Sequence, residues 1–200
     1  MGVQIGATKD VWGSEKVGNL EIRGTLEFRE KIKQAIANGV KRLNLKRCLR
    51  KLKICEHFNA IEEVRDKHSE AAPNPKDPDS WLDSMNGKGT KAVIRINLDD
   101  ADKGPVDDRG CKKSSIEAVL GHELGHAVDL NEGKNDYKPY GKIPPGEKTA
   151  MRVENAIRRD QDLVPRSDYN IDPSTTSEAP GCRPPPQDIT PPPRGPVMSP

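Results

Sequence analysis

The chain has 200 residues, 32% of them hydrophobic, with 33 basic side chains against 31 acidic ones for a formal net charge of +2. That apolar content suits one modest domain plus segments that join no core, and no apolar run approaches the ~20 residues that a membrane-spanning helix needs. The balanced charge argues neither way on nucleic acid, but nothing concentrates basic and aromatic residues, so no nucleic-acid partner is expected.

The four cysteines, Cys48, Cys55, Cys111 and Cys182, show no C-x-x-C spacing, and the chain opens without a secretory signal pattern. Reduced thiols in a cytosol-like compartment are the expectation. Met1-Gly2 invites myristoylation, but Gly6 stands where that pattern wants Ser or Thr. Residues 1–24, with Gly2, Gly6, Gly13 and Gly18, read as an irregular segment that is either an export signal or a frayed terminus.

From Thr25, an apolar stripe of Leu26, Ile32, Ala35 and Ile36 predicts a helix ending at Asn38-Gly39. A second helix is expected from Leu45 through Leu49, Leu52, Cys55, Phe58 and Ile61 to Val64. Lys41, Arg42, Lys46, Arg47, Arg50, Lys51 and Lys53 give it a basic face that could meet anionic lipid or an acidic partner. Glu56, Glu62, Glu63 and Asp66 offset it further along, so a solvated face is the plainer account. His57 and His68 have no ligand partners at metal spacing and read as surface or boundary residues.

Residues 71–83, rich in Pro, Asp, Asn and Ser, read as a connecting loop. Gly87-Lys88-Gly89-Thr90 then leads into Ala92–Leu98, where Ile94, Ile96 and Leu98 alternate with Arg95 and Asn97, the best strand signal in the chain. The glycines lack the ending and the following helix of a phosphate loop. The strand could hold an extended substrate along an exposed edge or could be ordinary sheet.

The most informative stretch is His122-Glu123-Leu124-Gly125-His126, an H-E-x-x-H pattern. Positions i and i+4 share a helix face, so the two histidines can hold one metal ion, with Glu123 beside them to take a proton from water. Ser114-Ser115-Ile116-Glu117 supplies a capping signal, and Ile116, Val119, Leu120, Leu124, Ala127 and Val128 recur at helical spacing up to Asn131-Glu132-Gly133. A helix from about Ser115 to Asn131 is thus predicted without the motif, which otherwise would leave two ordinary boundary histidines.

Catalytic zinc usually takes three protein ligands, so a third must be sought. The extended H-x-x-G-x-x-H continuation is absent: Asp129 and Glu132 occupy its glycine and last ligand positions. Asp129 reads as a residue that orients a ligand imidazole or braces the helix, and Asp136 precedes Tyr137 without the spacing of an aspartate ligand. Glu154 is the favoured third ligand. Ala150, Met151 and Ile157 place it on the apolar side of a helix that follows Pro144-Pro145-Gly146-Glu147, where a carboxylate must be paired or bound to a cation. A salt bridge to Arg158 or Arg152 is the other account.

Gly87-Lys88-Gly89-Thr90 before a strand, His122 through Asp129, Val153-Glu154-Asn155 with Ile157-Arg158, and Val164-Pro165-Arg166-Ser167-Asp168-Tyr169 resemble the effector-type zinc metallopeptidases. These include the non-LEE-encoded effector D family that bacteria deliver into host cells by type III secretion. The resemblance covers roughly residues 85–170. It implies a compact zincin domain, one Zn2+ per chain, zinc endopeptidase activity, and host intracellular signalling proteins, kinases among them, as substrates. It also implies His122, His126 and Glu154 as ligands, Glu123 as the catalytic base, and Arg166 or Tyr169 as the oxyanion donor; by residue type Arg158, Tyr137 and Tyr140 could serve there too.

The remaining tail, with Arg183-Pro184-Pro185-Pro186 and Pro191-Pro192-Pro193-Arg194, cannot build a core and is expected to be disordered or polyproline-like. The sequence therefore predicts an α+β fold: a small zincin-like metallopeptidase domain over residues 25–170, with helices over 25–70, the motifs over 85–170, and a proline-rich tail over 171–200. It predicts a monomer, secreted by a bacterium and acting in the host cytoplasm. The competing classes are a non-catalytic binding protein that uses the basic helix and the tail, and a zinc amidase acting on a small substrate.

Overall fold

Alternation of buried and open residues sets the architecture within residues 11–18, 20–41, 43–54, 59–100, 114–136, 145–163 and 165, which the computed structural model describes. The elements are β1 (Gly13–Val17), β2 (Leu20–Gly24), α1 (Leu26–Gly39), α2 (Leu43–Ile54), β3 (Asn59–Glu63), β4 (Glu70–Pro73), α3 (Ser80–Asp83), β5 (Ala92–Ile96), α4 (Ile116–Asn131) and α5 (Glu147–Asp160). The strands form one sheet in the order β1-β2-β3-β5-β4. The three inner strands run parallel, β1 closes one side as an antiparallel hairpin with β2, and β4 closes the other side antiparallel to β5.

Ile22, Ile61, Ala92, Ile94 and Ile96 point from the sheet into the core, where they meet Phe28 and Ile32 of α1, Leu45 and Leu52 of α2, and Leu120 and Leu124 of α4. The other face carries a rung of alternating charge, because Arg23, Glu62, Arg95 and Glu70 are register partners across four strands. Arg23 bonds Glu62 at 2.8 Å and Arg95 bonds Glu70 at 2.9 Å. Among the described residues the large helices thus belong to one side of the sheet, in the mixed α+β class that the sequence predicts.

The Thr25 hydroxyl accepts from the Phe28 N–H and caps α1, which ends at Gly39 as its pattern predicts. For α4 the capping hydroxyl is that of Ser115, not Ser114, bonded to the Ala118 N–H. The far end of α4 is pinned to the sheet by amides. Asn131 donates to Asn59 Oδ1 and to the Thr90 carbonyl, and Asn59 Oδ1 also accepts from the Ala92 N–H.

Three sequence expectations give way here. The second helix does not reach Val64: α2 ends at Ile54, and Asn59–Glu63 is a central strand buried between β2 and β5. A short apolar run flanked by polar residues fits helix and buried strand alike, and the parallel partners decide it. The opening segment is not wholly irregular, since Gly13–Gly24 forms the β1–β2 hairpin. The expected loop at residues 71–83 holds β4 and α3, with Pro73 at the end of an edge strand, where a missing N–H is tolerated. Cys48 is a buried free thiol, and burial pushes its pKa up to about 11. Cys55, Cys111, Cys182 and the proline-rich tail lie outside the described residues.

Candidate metal centre

Helix α4 lies between the sheet and α5, and two glycines let α5 come close. A Cβ on Gly121 would sit 2.2 Å from Ile157 Cδ1, and one on Gly125 would sit 2.6 Å from Ala150 Cα. With neither Cβ present, the first and third turns of α5 press against the histidine-bearing face of α4. The carboxylates of Glu147 and Glu154 consequently reach the same imidazole from two sides.

His122 Nε2 lies 3.2 Å from His126 Nε2, and each of these nitrogens lies 3.2 Å from Glu147 Oε2. Glu147 Oε2 is buried, and its two contacts lack the alignment of hydrogen bonds. A tetrahedral ion with ligands at about 2 Å requires donor atoms about 3.3 Å apart, so this near-equilateral triangle has the dimensions of three zinc ligands. His122, His126 and Glu147 are, among the described residues, the set whose donor atoms could hold a metal ion together.

Glu154 stands elsewhere. Its Oε2 lies 2.9 Å from His122 Nδ1, the ring nitrogen turned away from the triangle, and its Oε1 accepts from Arg158 Nε at 2.7 Å. Both Glu154 and Arg158 are almost fully buried, which accords with the paired-carboxylate account of this position. Glu147 does not stand out in the sequence. Its signal was its place seven residues before Glu154, two turns away on the same helix face.

Glu123 is buried beside the histidines, and its Oε2 makes no hydrogen bond among the described residues. Burial raises its pKa, against the pull of the nearby imidazoles. Burial also pushes Glu147 up, but the two imidazoles beside it hold its carboxyl at about 2. For His122, burial opposes the charge, yet the Glu147 and Glu154 carboxylates on its two nitrogens raise its pKa to about 9. An excess of carboxylate around the histidines is what a dication would neutralise. Burial raises the pKa of Asp129, and its carboxylate bonds Thr149 of α5, a brace between the two helices.

These groups open onto a cavity of about 340 Å³. It is lined by Ser69, Glu70 and Ala71 at the start of β4, by His122, Glu123, His126 and Leu130 of α4, and by Asn135, Asp136, Gly146 and Glu147. Ala92–Ile96 does not offer the exposed edge considered from sequence, because it pairs with β3 on one side and β4 on the other. Of the two strands at the sheet's margins, β1 and β4, it is β4 that borders the cavity. Arg166 and Tyr169, expected to serve the oxyanion, lie outside the described residues, as do Tyr137 and Tyr140.

The family model of the Peptidase_M91 effector proteins matches residues 16–180. No curated protein matches the chain.

Proposed function

This chain belongs to the Peptidase_M91 family of effector proteins, and from that membership and the metal centre we propose that it is a zinc-dependent endopeptidase with a zincin-like active site. The observation that carries the reading is the triangle of His122 Nε2, His126 Nε2 and Glu147 Oε2 beside a buried Glu123 that has an unbonded oxygen. The assignment takes Glu147 in place of Glu154 as the third ligand. Zinc bound there would supply Lewis acidity, polarising the scissile carbonyl and acidifying a water in the cleft.

The protein's own groups do the rest. Glu123 takes the water's proton as attack occurs and delivers it to the leaving amine, a task suited to a carboxyl whose pKa is raised by burial. Glu154 accepts a hydrogen bond from His122 Nδ1–H, fixing the tautomer that leaves Nε2 free for the metal, and Arg158 Nε–H bonds the other oxygen of that carboxylate. The outer edge of β4, unpaired among the described residues, can take up an extended polypeptide through main-chain hydrogen bonds. Arg166 or Tyr169 would donate to the oxyanion. The natural substrates on this reading are host signalling proteins, kinases among them, met in the host cytoplasm after secretion by the bacterium, with the enzyme acting as a monomer.

The test is zinc content measured beside cleavage. Protein purified with zinc should hold close to one ion per chain and cut an unfolded protein such as casein in preference to small amides. If zinc-supplemented wild type holds no metal, the metallopeptidase reading falls; if small amides are the better substrates, the amidase reading replaces it.

A further inference from the structure

Helix α2 holds five basic residues, Lys46, Arg47, Arg50, Lys51 and Lys53, and no acidic one in its 12 positions. The acids that offset this charge in the sequence do not continue the helix, which ends at Ile54. Glu62 and Glu63 belong to β3 and are engaged there. Glu62 bonds Arg23 on the sheet face away from the helices, and Glu63 accepts from the Thr25 N–H and pairs with Arg65. Asp66 follows β3, and Glu56 lies outside the described residues. The ground for reading this face as a balanced, merely solvated one is thereby weakened.

The charge lies on one side. Leu45, Cys48 and Leu52 turn into the core, while Lys46, Arg47, Arg50 and Lys51 are exposed. Lys51 pairs with Glu132 at 2.7 Å. Lys46, Arg47 and Arg50 make no ion pair among the described residues. The first turn of α2 contains no acid, so the positive end of the helix dipole adds to these side chains.

The same side also carries apolar surface. Leu43 precedes Lys46, Arg47 and Arg50 by three, four and seven residues, which sets it among them on the helix, and it is 61% exposed. Val40, 44% exposed, and the exposed Lys41 stand in the turn just before it.

Long cations around an apolar tip suit one kind of occupant best. An anionic bilayer surface offers headgroup charge to the cations and, just beneath it, hydrocarbon for Leu43 and Val40. A nucleic acid would meet the cations but has no place for the two apolar side chains, and α2 carries no aromatic residue on which a base could stack. A folded acidic protein would need the cations held in fixed positions, whereas fluid lipids gather around side chains that are free to move.

We propose that the exposed face of α2, formed by Leu43, Lys46, Arg47 and Arg50 with Val40 and Lys41, docks on a membrane surface containing anionic lipid. None of these residues belongs to the metal triangle or lines its cavity, so the proposal stands apart from the peptidase reading.

Flotation of the full chain with phosphatidylcholine vesicles, with and without phosphatidylserine, tests it. The chain should rise with the anionic vesicles, stay behind with the neutral ones, and detach as salt is raised. Arg47→Gln with Arg50→Gln should weaken partitioning about 30-fold, and Leu43→Ser about tenfold. Arg47→Lys with Arg50→Lys keeps the charge and should bind as the parent does. Lys76→Gln with Lys91→Gln removes the same charge from exposed lysines that border the helix-free face of the sheet, and should change partitioning little.

No flotation with anionic vesicles overturns the proposal, as does equal flotation with neutral ones. An equal loss from the Lys76 and Lys91 pair assigns the effect to overall charge and overturns the site. Loss of binding in the Arg-to-Lys pair calls for fixed guanidinium geometry, as a protein partner would use, and overturns it too. Soluble glycerophosphoserine should not compete; competition would mean a pocket for one headgroup in place of a surface. Displacement from vesicles by a DNA duplex whose own binding ignores Leu43→Ser assigns the face to nucleic acid and overturns the proposal.

Discussion

The first and third turns of α5 each aim a carboxylate at His122, yet they meet it on opposite ring nitrogens. Glu147 faces Nε2 at the cleft with 15% of its side chain exposed, and Glu154 faces Nδ1 behind the ring with 4% exposed. One helix, seven residues apart, thus supplies the inward-facing donor and the carboxylate behind it. The difference teaches that burial alone does not tell a carboxylate that faces the cleft from one that stands behind the ring. A catalytic ligand must border the space where water and substrate enter, so it stays partly open, while the group that orients the imidazole can be sealed off completely.

The largest effect that sharpens this contrast is expected from Glu147→Ala. It should strip zinc under mild chelation and abolish cleavage together, with a fall in zinc affinity well beyond the ~100-fold upper range for losing a supporting carboxylate. Metal content after dialysis against a weak chelator measures it. Full zinc retention in this variant would return the ligand role to Glu154. Next comes Glu123→Gln, which keeps the shape of the cleft and removes only the proton acceptor. Zinc should stay bound while kcat falls by roughly 10²–10⁴, so the two variants separate metal holding from proton transfer. A variant that loses both would place Glu123 among the ligands.

Glu154→Ala should be milder, with zinc affinity down about 10–100-fold and activity recovered when zinc is raised. Recovery by added metal is the outcome that distinguishes the third turn from the first, and an activity titration against free zinc reads it directly. Gly125→Ala probes the close approach that brings both turns to the imidazole. Its new methyl would collide with the backbone of Ala150, so the cost should be on the order of 1–3 kcal/mol. Denaturant unfolding measures that loss, and unchanged stability would show that the helices can separate freely.

How much of this was legible follows from which signals are local. Helix α4 and its two histidines could be read from Ser115 to Asn131, because a cap, an apolar period and a motif coincide on one segment. Strand β5 could be read from its alternation, but its position inside the sheet could not, since that depends on pairing with Glu70–Pro73, where Pro73 and the Pro75 and Pro78 that follow argue for a loop. Asn59–Glu63 continued the apolar spacing of α2 closely enough to pass for helix, and only its parallel neighbours make it a strand. Glu147 was hidden by its position. An acid in the first turn after Pro144-Pro145-Gly146 looks like a routine complement to the helix dipole, whereas Glu154 among Ala150, Met151 and Ile157 looks exceptional.

The smallest effect on the metal, and the finest cut through the comparison, is expected from Arg158→Met. Arg158 Nε bonds Glu154 Oε1, while it is Oε2 of that carboxylate that meets the His122 ring. If the third turn serves to orient His122, Arg158 acts through Glu154 alone, and its loss should lower zinc affinity less than tenfold while leaving kcat at saturating zinc unchanged. Stability is a separate axis, because removing one member of a buried ion pair leaves Glu154 poorly compensated at a cost of about 3–5 kcal/mol. A double-mutant cycle with Glu154→Gln resolves the two, since residues in one hydrogen-bonded chain are non-additive. The double variant should bind zinc no more weakly than Glu154→Gln alone and should regain part of the lost stability. Additive losses in zinc affinity would mean that Arg158 reaches the metal centre by another route, and the division of labour between the two turns of α5 would have to be redrawn.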